Sequence, residues 1–346
     1  MRIAQIEITE LFGMFNHTIP LNLDERVTII HGPNGYGKTM LLRMIHALAS
    51  KGKSTQIAPF EQFIITWTDG HLLTVNGGYF SEDEATSFSC TFIDIDRLTE
   101  IDVDPSQKAP VTKAMVNVYA KQLKKALGEI LADYANLSQK LDQSFPIRLV
   151  KNGKSKATRE EIKSKLTDLA SQRHTLVAVG LLEPEDQNTV LQSDDIDESN
   201  LPTLQIYIAD TEQKLAVFSG FAEKLTLFKS IINRRFLHKQ IGISQEEGLV
   251  LTTANGQTLP LEKLSSGEQQ ELILFYRLLF QVEKDTLILI DEPELSLHVA
   301  WQKQFLEDLQ EVTRLAQIDV LIATHSPQII NDRWDLTVEL KGPGAA

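Results

Sequence analysis

Two adjacent carboxylates, Asp291 and Glu292, follow a short and wholly apolar run at residues 287–290. Such a run is typical of a strand that is buried on both faces of a parallel sheet. Open α/β sheets bind their ligands at the carboxyl ends of these strands. There, Asp291 can hold Mg²⁺ directly or through water, and Glu292 can polarise a water for attack on a phosphate. The pair alone is equally compatible with an acidic cap on a strand before a turn that begins at Pro293.

A second stretch that could do chemistry is a phosphate-loop motif of the form G-x-x-x-x-G-K-[ST]. Its eight residues are Gly32, Pro33, Asn34, Gly35, Tyr36, Gly37, Lys38 and Thr39. A strand-like run at 26–30 precedes it and a helical pattern at 40–48 follows it, which is the order that the motif requires. Its glycines let backbone N–H groups surround phosphates, Lys38 can reach the β- and γ-phosphates, and the Thr39 hydroxyl can join the Mg²⁺ ligands. The alternative is a glycine-rich turn that matches by chance.

Two further segments follow a recognisable order along the chain. Residues 264–270 read LSSGEQQ and lead into an apolar helical pattern, and residues 320–324 resemble a strand that ends at His325. Together with the phosphate loop and the acidic strand, they resemble the motifs of ABC-type ATPases of the SMC, RecF and OLD group. LSSGEQQ corresponds to the signature sequence of that superfamily, and His325 to its switch histidine. The resemblance covers residues 1–106 and 240–340.

The resemblance implies a nucleotide site that is shared between two subunits. In that superfamily the signature residues contact the γ-phosphate bound on the opposite subunit. The corresponding residues here are Ser265, Ser266, Gly267 and Glu268. His325 would hydrogen-bond the γ-phosphate within its own subunit. The expected cofactors are therefore ATP and Mg²⁺, with Thr39 and Asp291 as metal ligands and Glu292 and His325 as catalytic residues.

Alternating strand patterns must position the phosphate loop. In residues 2–8 the apolar side chains alternate, and we expect residues 21–30 to pair with this strand and to run into the loop. Asp69-Gly70 and Asn255-Gly256 each lie between strand-like runs and predict hairpins. In the related ATPases the N-terminal turn lies near the adenine, which leaves Phe12 and Phe15 as alternatives.

From about residue 108 the apolar spacing changes from two residues to three or four. Three apolar stripes result, over residues 116–141, 162–176 and 204–232. Because helices with one apolar stripe bury it against each other, these stripes predict an inserted helical lobe. Gln107, which precedes them, is a weak candidate for the Q-loop glutamine of the family.

The expected fold class is α/β: an ABC-type P-loop ATPase head, with a mixed sheet and flanking helices, split by an inserted α-helical or short coiled-coil lobe. The expected boundaries place the N-terminal half of the head at 1–106 and the lobe at 107–239. The C-terminal half follows at 240–340. Residues 341–346 resemble a tail or linker.

Composition excludes several classes of protein. The chain has 346 residues, of which 42% are hydrophobic and 23% charged, as in ordinary globular proteins. No apolar run approaches 18 residues and the N-terminus lacks the features of a signal peptide, so we expect a cytoplasmic protein with no membrane association. The single cysteine, Cys90, excludes an internal disulfide and predicts a buried filler side chain.

Charge gives an ambiguous indication about DNA. The net charge of −13 opposes general affinity for nucleic acids. Residues 148–165 nevertheless carry seven basic and two acidic side chains, and residues 192–200 form an acidic loop. These two stretches are either solvated surfaces that face each other or, for the basic one, a contact with DNA.

The acidic strand and its continuation suggest a biological context. Residues 291–305 read DEPELSLHVAWQKQF and residues 324–330 read THSPQII. Both resemble ATPases of anti-phage defence systems such as the PARIS-like and Septu-like ones, in which a separate or fused nuclease-type effector is regulated. Ser266 stands where many transporters have glycine, and Glu294–His298 stands where they have their D-loop, so both features disfavour transport. The usual D-loop aspartate is missing, so the resemblance does not extend to the way in which the two sites of those transporters communicate.

These features together predict a homodimer, or a higher homo-oligomer, that acts as an ATP-gated switch on a nuclease or toxin effector. One alternative is a DNA-repair or chromosome-structure ATPase that clamps DNA. Another is a scaffold that binds ATP but scarcely hydrolyses it.

Overall fold

The chain divides into two compact units in the computed structural model. One unit comprises Met1–Met115 with Leu264–Ala346, and the other comprises Val116–Lys263. The structure describes residues 2–49, 58–77, 88–93, 99–102, 111–151, 157–184, 196–295, 297 and 299–343. No helix in these stretches is both long and apolar enough to cross a membrane.

A five-stranded parallel sheet forms the centre of the first unit. Its strands are β3 (Val27–His31), β6 (Cys90–Ile93), β12 (Leu287–Asp291), β13 (Asp319–Ala323) and β14 (Thr337–Glu339), in the order β14-β3-β13-β12-β6. Residues 287–290 are buried on both faces, as the apolar run predicted. Burial also raises the pKa of the Cys90 thiol to about 12, so this side chain stays protonated and suits the packing role.

A four-stranded antiparallel sheet is formed by strands from the N-terminal part of the first unit. Its strands are β1 (Ile3–Leu11), β2 (Phe15–Pro20), β4 (Gln62–Trp67) and β5 (Leu72–Asn76), in the order β2-β1-β4-β5. Gly70, with φ +85°, occupies the turn of the predicted β4–β5 hairpin. The sequence predicted one mixed sheet, whereas the structure has an antiparallel sheet and a separate parallel sheet.

The expected pairing of residues 21–30 with residues 2–8 is wrong. β1 pairs with β2 and β4, whereas β3 pairs with β13 and β14 in the parallel sheet. Residues 23–25 form a turn between the two sheets. The burial patterns give the physical reason, because β1 buries alternate residues and β3 is buried on both faces.

Helices also belong to this unit. They are α1 (Lys38–Ala49), α6 (Ser266–Tyr276), α7 (Val299–Ala316) and the short α8 (Pro327–Ile330). A π-helical turn, Arg277–Gln281, extends α6. The core cluster includes Ile6 of β1, Leu41 of α1, Phe63 of β4 and Leu289 of β12, so α1 and both sheets contribute to one apolar core. A two-stranded ribbon, β7 (Thr99–Asp102) with β8 (Val111–Ala114), also belongs to this unit.

The second unit combines the predicted helices with a small antiparallel sheet. Its helices are α2 (Met115–Lys151), α3 (Arg159–Ala178), α4 (Leu201–Ala216) and α5 (Ser219–Arg235), and its strands are β9 (Lys239–Ser244), β10 (Gly248–Thr253) and β11 (Thr258–Leu259). The third apolar stripe is continuous in the sequence but is divided between α4 and α5. The break falls beside Phe218, whose side chain is fully buried.

Gly248 explains why the small sheet groups with the helices. Its φ is +82°, and a Cβ atom at this position would lie 2.0 Å from the carbonyl oxygen of Ala120 in α2. Only glycine allows so close an approach of β10 to the backbone of α2. Residues 240–263, which the sequence placed in the second half of the head, therefore group by contacts with the helices.

Candidate functional site

The phosphate loop connects β3 to α1 and depends on its glycines. Gly35 and Gly37 have φ values of +87° and +86°, which side chains other than glycine rarely adopt. A Cβ atom on Gly37 would lie 2.6 Å from Cδ2 of Leu11, and one on Gly32 would lie 2.9 Å from the carbonyl oxygen of Leu340. The loop is therefore packed closely against Leu11 and Leu340 at the N-terminus of α1, where N–H groups favour an anion.

Lys38 is buried at the start of α1. Its Nζ donates to the carbonyl oxygens of Gly32 at 2.6 Å and Pro33 at 3.1 Å. Burial lowers the pKa of this ammonium, and the carboxylates of Glu292 and Asp291 partly oppose that effect. An anionic ligand at this place would compensate the cost of burying the charge.

The Thr39 hydroxyl meets the predicted acidic strand. It donates to Oδ1 of Asp291 across 3.1 Å. Burial raises the pKa of the Asp291 carboxyl, and this hydrogen bond acts in the opposite direction. A hydroxyl and a carboxylate are both hard oxygen ligands, so the pair suits Mg²⁺, which prefers few protein ligands and keeps several waters.

Glu292 and His325 lie together at the ends of adjacent strands. Oε1 of Glu292 is 3.2 Å from Nε2 of His325, and their side chains are 29% and 38% exposed. Glu292 has a φ of +44°, and its N–H donates to the carbonyl oxygen of Ala323 at 2.8 Å. Glu292 thus combines a backbone conformation that is rare for residues other than glycine with a partly exposed carboxylate beside the end of β13.

Glu294 is a site residue that the sequence did not single out. Its Oε1 accepts from the Thr324 hydroxyl at 2.6 Å and from the N–H of His325 at 3.0 Å. The sequence places Glu294 in the turn after β12 but contains no signal that it reaches the end of β13. Ser296 and His298 of the same segment lie outside the described residues, as does Gln107.

The signature residues form the N-terminus of α6. Ser265 caps this helix, because its hydroxyl accepts from the N–H of Glu268 and the Glu268 side chain accepts from the N–H of Ser265 at 2.7 Å. Ser265 and Ser266 are exposed. Within the described part of the chain, no hydrogen bond or ion pair joins Ser265, Ser266 or Gly267 to the phosphate loop. Their role towards a nucleotide therefore stays a prediction.

The tip of the β1–β2 hairpin lies against the phosphate loop. Phe15 is buried, with its ring centroid 5.4 Å from that of Tyr36, whereas Phe12 is 37% exposed. His17 is buried beside Phe15, and its Nε2–H donates to the carbonyl oxygen of Tyr36 at 3.1 Å. This contact was also absent from the sequence reasoning, because nothing local relates residue 17 to residue 36.

Fold and site together define a P-loop nucleotide-binding head of the α/β class with a helical insertion, which confirms the expected fold class. A family model matches residues 27–331 and is described as "AAA domain, putative AbiEii toxin, Type IV TA system". The match spans most of the chain, and the chain belongs to this family.

Other comparisons give only distant similarity. A search of curated proteins finds no match. A solved SMC head domain with an extended coiled coil, bound to the C-terminal domain of ScpA and derived from Pyrococcus furiosus, has 14% identity and a TM-score of 0.41, over 95% of this chain and 91% of that one. An SMC head bound to the C-winged helix domain of ScpA has 10% identity and a TM-score of 0.41, over 95% of this chain and 92% of that one. The SMC head domain from Thermotoga maritima has 11% identity and a TM-score of 0.38, over 95% of this chain and 91% of that one. Because all three TM-scores lie below 0.5, these similarities support no argument about this chain.

Proposed function

We propose that this chain binds Mg·ATP and hydrolyses it to ADP and phosphate. The observation that carries the proposal is the convergence of three groups at the carboxyl ends of β3, β12 and β13. These groups are the phosphate loop with Lys38, the Thr39–Asp291 pair and the Glu292–His325 pair. The three strands are adjacent and parallel, so this edge is where such a sheet binds its ligand.

The residues present fit this cofactor. The backbone N–H groups of the phosphate loop, which only glycine lets pack this closely against Leu11, would surround the phosphates, and the buried Lys38 would supply the matching positive charge. The Thr39 hydroxyl and the Asp291 carboxylate would hold Mg²⁺, which supplies further positive charge beside the phosphate oxygens when bound. Gly32–Thr39 as a whole would bind the nucleotide.

The remaining side chains have distinct roles in the proposal. Glu292 would orient a water and accept its proton, and His325 would hydrogen-bond the γ-phosphate while holding Glu292 in place. Phe12 is the better of the two aromatic alternatives for contact with the base, because Phe15 is buried against Tyr36.

The proposed role in the cell is that of an ATP-gated switch on a toxin or nuclease partner. The family description, with its toxin and toxin–antitoxin system, supports this context. Two chains would close on two nucleotides, each contributing Ser265, Ser266, Gly267 and Glu268 to the site of the other. The exposure of Ser265 and Ser266 on a single chain is compatible with such a contact in trans.

A DNA clamp is the second candidate, and the structure weakens its main support. Of the basic residues at 148–165, Arg148 pairs with Asp210 and Lys165 pairs with Glu212 at 3.0 Å. These two cations thus already have carboxylate partners within the second unit. Lys154 and Lys156 lie outside the described residues.

Glu292→Gln tests the proposed chemistry. Loss of the general base should lower kcat by about 10²-fold to 10⁴-fold, while ATP binding is retained because the phosphate loop is unchanged. Steady-state phosphate release and equilibrium binding of a fluorescent ATP analogue measure the two effects. Glu311→Gln, on the exposed face of α7, is the matched control and should behave as wild type. Wild-type hydrolysis by Glu292→Gln would show that another group activates the water.

A further inference from the structure

Glu294 connects the turn after β12 to the end of β13. The side chain of this one residue accepts hydrogen bonds from the Thr324 hydroxyl at 2.6 Å and from the backbone N–H of His325 at 3.0 Å. The second bond fixes the backbone of the same histidine whose Nε2 lies 3.2 Å from Glu292. Glu294 and Glu292 are two residues apart in the chain, and His325 contacts both of them. Its backbone N–H donates to Glu294, and its Nε2 lies beside Glu292.

The second carboxylate oxygen of Glu294 adds an independent observation. Oε2 is buried and has no hydrogen-bond partner within the described residues. A buried carboxylate oxygen without a partner is costly, so a side chain that served only to fill space would be better replaced by an apolar one. The geometry therefore indicates that the acceptor function of Oε1 is what this position requires.

A second connection holds the same two segments. Gln302 of α7 donates to the carbonyl oxygen of Glu294 at 3.2 Å and accepts from the Ser326 hydroxyl at 3.1 Å. Residues 294 and 324–326 are thus joined on both sides of His325. Glu294 is the member of this arrangement that contacts His325 itself, through a hydrogen bond to a charged acceptor.

We propose that Glu294 is the positioning residue for His325, and that it acts through this histidine on Glu292. This inference rests on the proposed ATPase function, because its catalytic consequence requires Glu292 to be the base. Glu294 need not touch the nucleotide. Its removal should leave nucleotide binding intact and slow the chemical step.

Replacement of Glu294 by leucine removes both acceptors while keeping a side chain of similar size. We expect Glu294→Leu to lower kcat by about 10-fold to 100-fold, as for other residues that orient a catalytic side chain, with KM for ATP within about twofold of wild type. Glu294→Gln keeps an amide oxygen as acceptor and should lose less than about tenfold, because neutral hydrogen bonds are about half as strong. The matched control is Glu311→Leu, with wild-type values expected.

A double variant tests whether Glu294 affects the chemical step only through His325 or also independently of it. If Glu294 acts through His325, the variant carrying both Glu294→Leu and His325→Ala should be no slower than His325→Ala alone. Multiplied losses in the double variant would overturn the proposal, as would wild-type kcat in Glu294→Leu or a rise in KM without a change in kcat. If Glu294→Leu does not fold, as judged by thermal unfolding, Glu294→Gln is used in the same cycle.

A spectroscopic measurement tests the contact without relying on hydrolysis. Protein labelled with ¹⁵N-histidine contains eight labelled backbone amides, and His325→Gln identifies the signal of residue 325. Loss of the carboxylate acceptor in Glu294→Leu should move the His325 amide proton upfield more than any other histidine amide. An unmoved signal would overturn the positioning role. Absence of hydrolysis in the wild-type protein, with this signal shifted as expected, would instead contradict the proposed function.

Discussion

Side chains from outside the phosphate loop determine its shape. Leu11 of β1 occupies the space next to Gly37, and His17 of β2 holds the carbonyl oxygen of Tyr36. Burial lowers the pKa of His17, so its ring is neutral near pH 7 and donates through Nε2–H. The antiparallel sheet thus supports a loop that belongs to the parallel one.

Gly37→Ala should abolish most ATP binding. The new methyl group would lie 2.6 Å from Cδ2 of Leu11, and the alanine backbone would have to adopt a φ of +86°. Together these two effects should lower the free energy of unfolding by about 1–3 kcal/mol and displace the loop. Isothermal titration with ATP and thermal unfolding measure the two effects.

Gly70→Ala is the control for backbone strain alone. Gly70 has a φ of +85°, almost the value at Gly37, but a Cβ atom there meets nothing within 4 Å. We expect Gly70→Ala to lose about 1 kcal/mol of stability and to bind ATP normally. Equal loss of ATP binding in both variants would mean that the contact with Leu11 is irrelevant.

At the scale of single residues, the sequence predicted what depends on local spacing. The glycines, Lys38 and Thr39 follow a fixed motif, and Asp291 and Glu292 follow an apolar strand, so the structure finds them close together. Glu294 and His17 could not be predicted in the same way. Each has a common residue type, and its partner is determined only when two distant segments pack.

At the scale of elements, α6 begins at a capping box in which Ser265 is exposed and Glu268 is buried. Ser265 and Glu268 satisfy each other's backbone N–H groups, which stabilises the first turn of the helix. The same turn is the predicted signature, so Ser265 combines an observed capping role with a predicted contact to the nucleotide.

Ser265→Ala should lower the free energy of unfolding by about 1 kcal/mol, because a helix N-cap is lost. Ser266→Ala should change it by less than about 0.5 kcal/mol, since Ser266 is exposed and is not the cap. Chemical denaturation measures both values.

Thr158→Ala is the matched variant in the second unit. Thr158 and Glu161 form the same kind of capping box at the start of α3. We therefore expect a similar loss of stability but unchanged ATP hydrolysis. An unchanged free energy of unfolding in Thr158→Ala would show that a capping box of this kind does not account for the loss expected in Ser265→Ala.

Periodicity predicted the elements better than it predicted their neighbours. The apolar stripes of α2 and α3 and the hairpin at Gly70 appear where the pattern placed them. The pairing of residues 2–8 was wrong because alternation identifies a buried face but not the strand that lies beside it. The break between α4 and α5 was missed because Phe218 continues the apolar stripe across it.

At the scale of the whole molecule, we expect ATP to promote association of two chains. The mass of Glu292→Gln measured by light scattering should double from 38.9 kDa when Mg·ATP is added, because slow hydrolysis preserves the bound state. Lys38→Ala, which lacks the proposed contact with the phosphates, is the control and should stay at the mass of one chain. A mass of one chain for Glu292→Gln saturated with ATP would rule out a site completed in trans.

The division of the chain into units could be predicted only in outline. A change of period near residue 108 indicated an insertion, but the close approach of Gly248 to Ala120 has no local signal. Residues 240–263 therefore seemed to belong with the motifs that follow them, whereas their contacts lie with the helices. The domain boundaries remain a prediction.

The strands of the parallel sheet are synthesised in a different order from the one in which they lie side by side. β3 leads directly into the phosphate loop, yet its two neighbours in the sheet, β13 and β14, are synthesised only after the whole second unit. At about 5–20 residues per second, a nascent chain carries its nucleotide loop without these neighbours for tens of seconds. The second unit, by contrast, is one continuous segment and can form before them. Translation thus delays completion of the parallel sheet beside the phosphate loop until β13 and β14 have emerged.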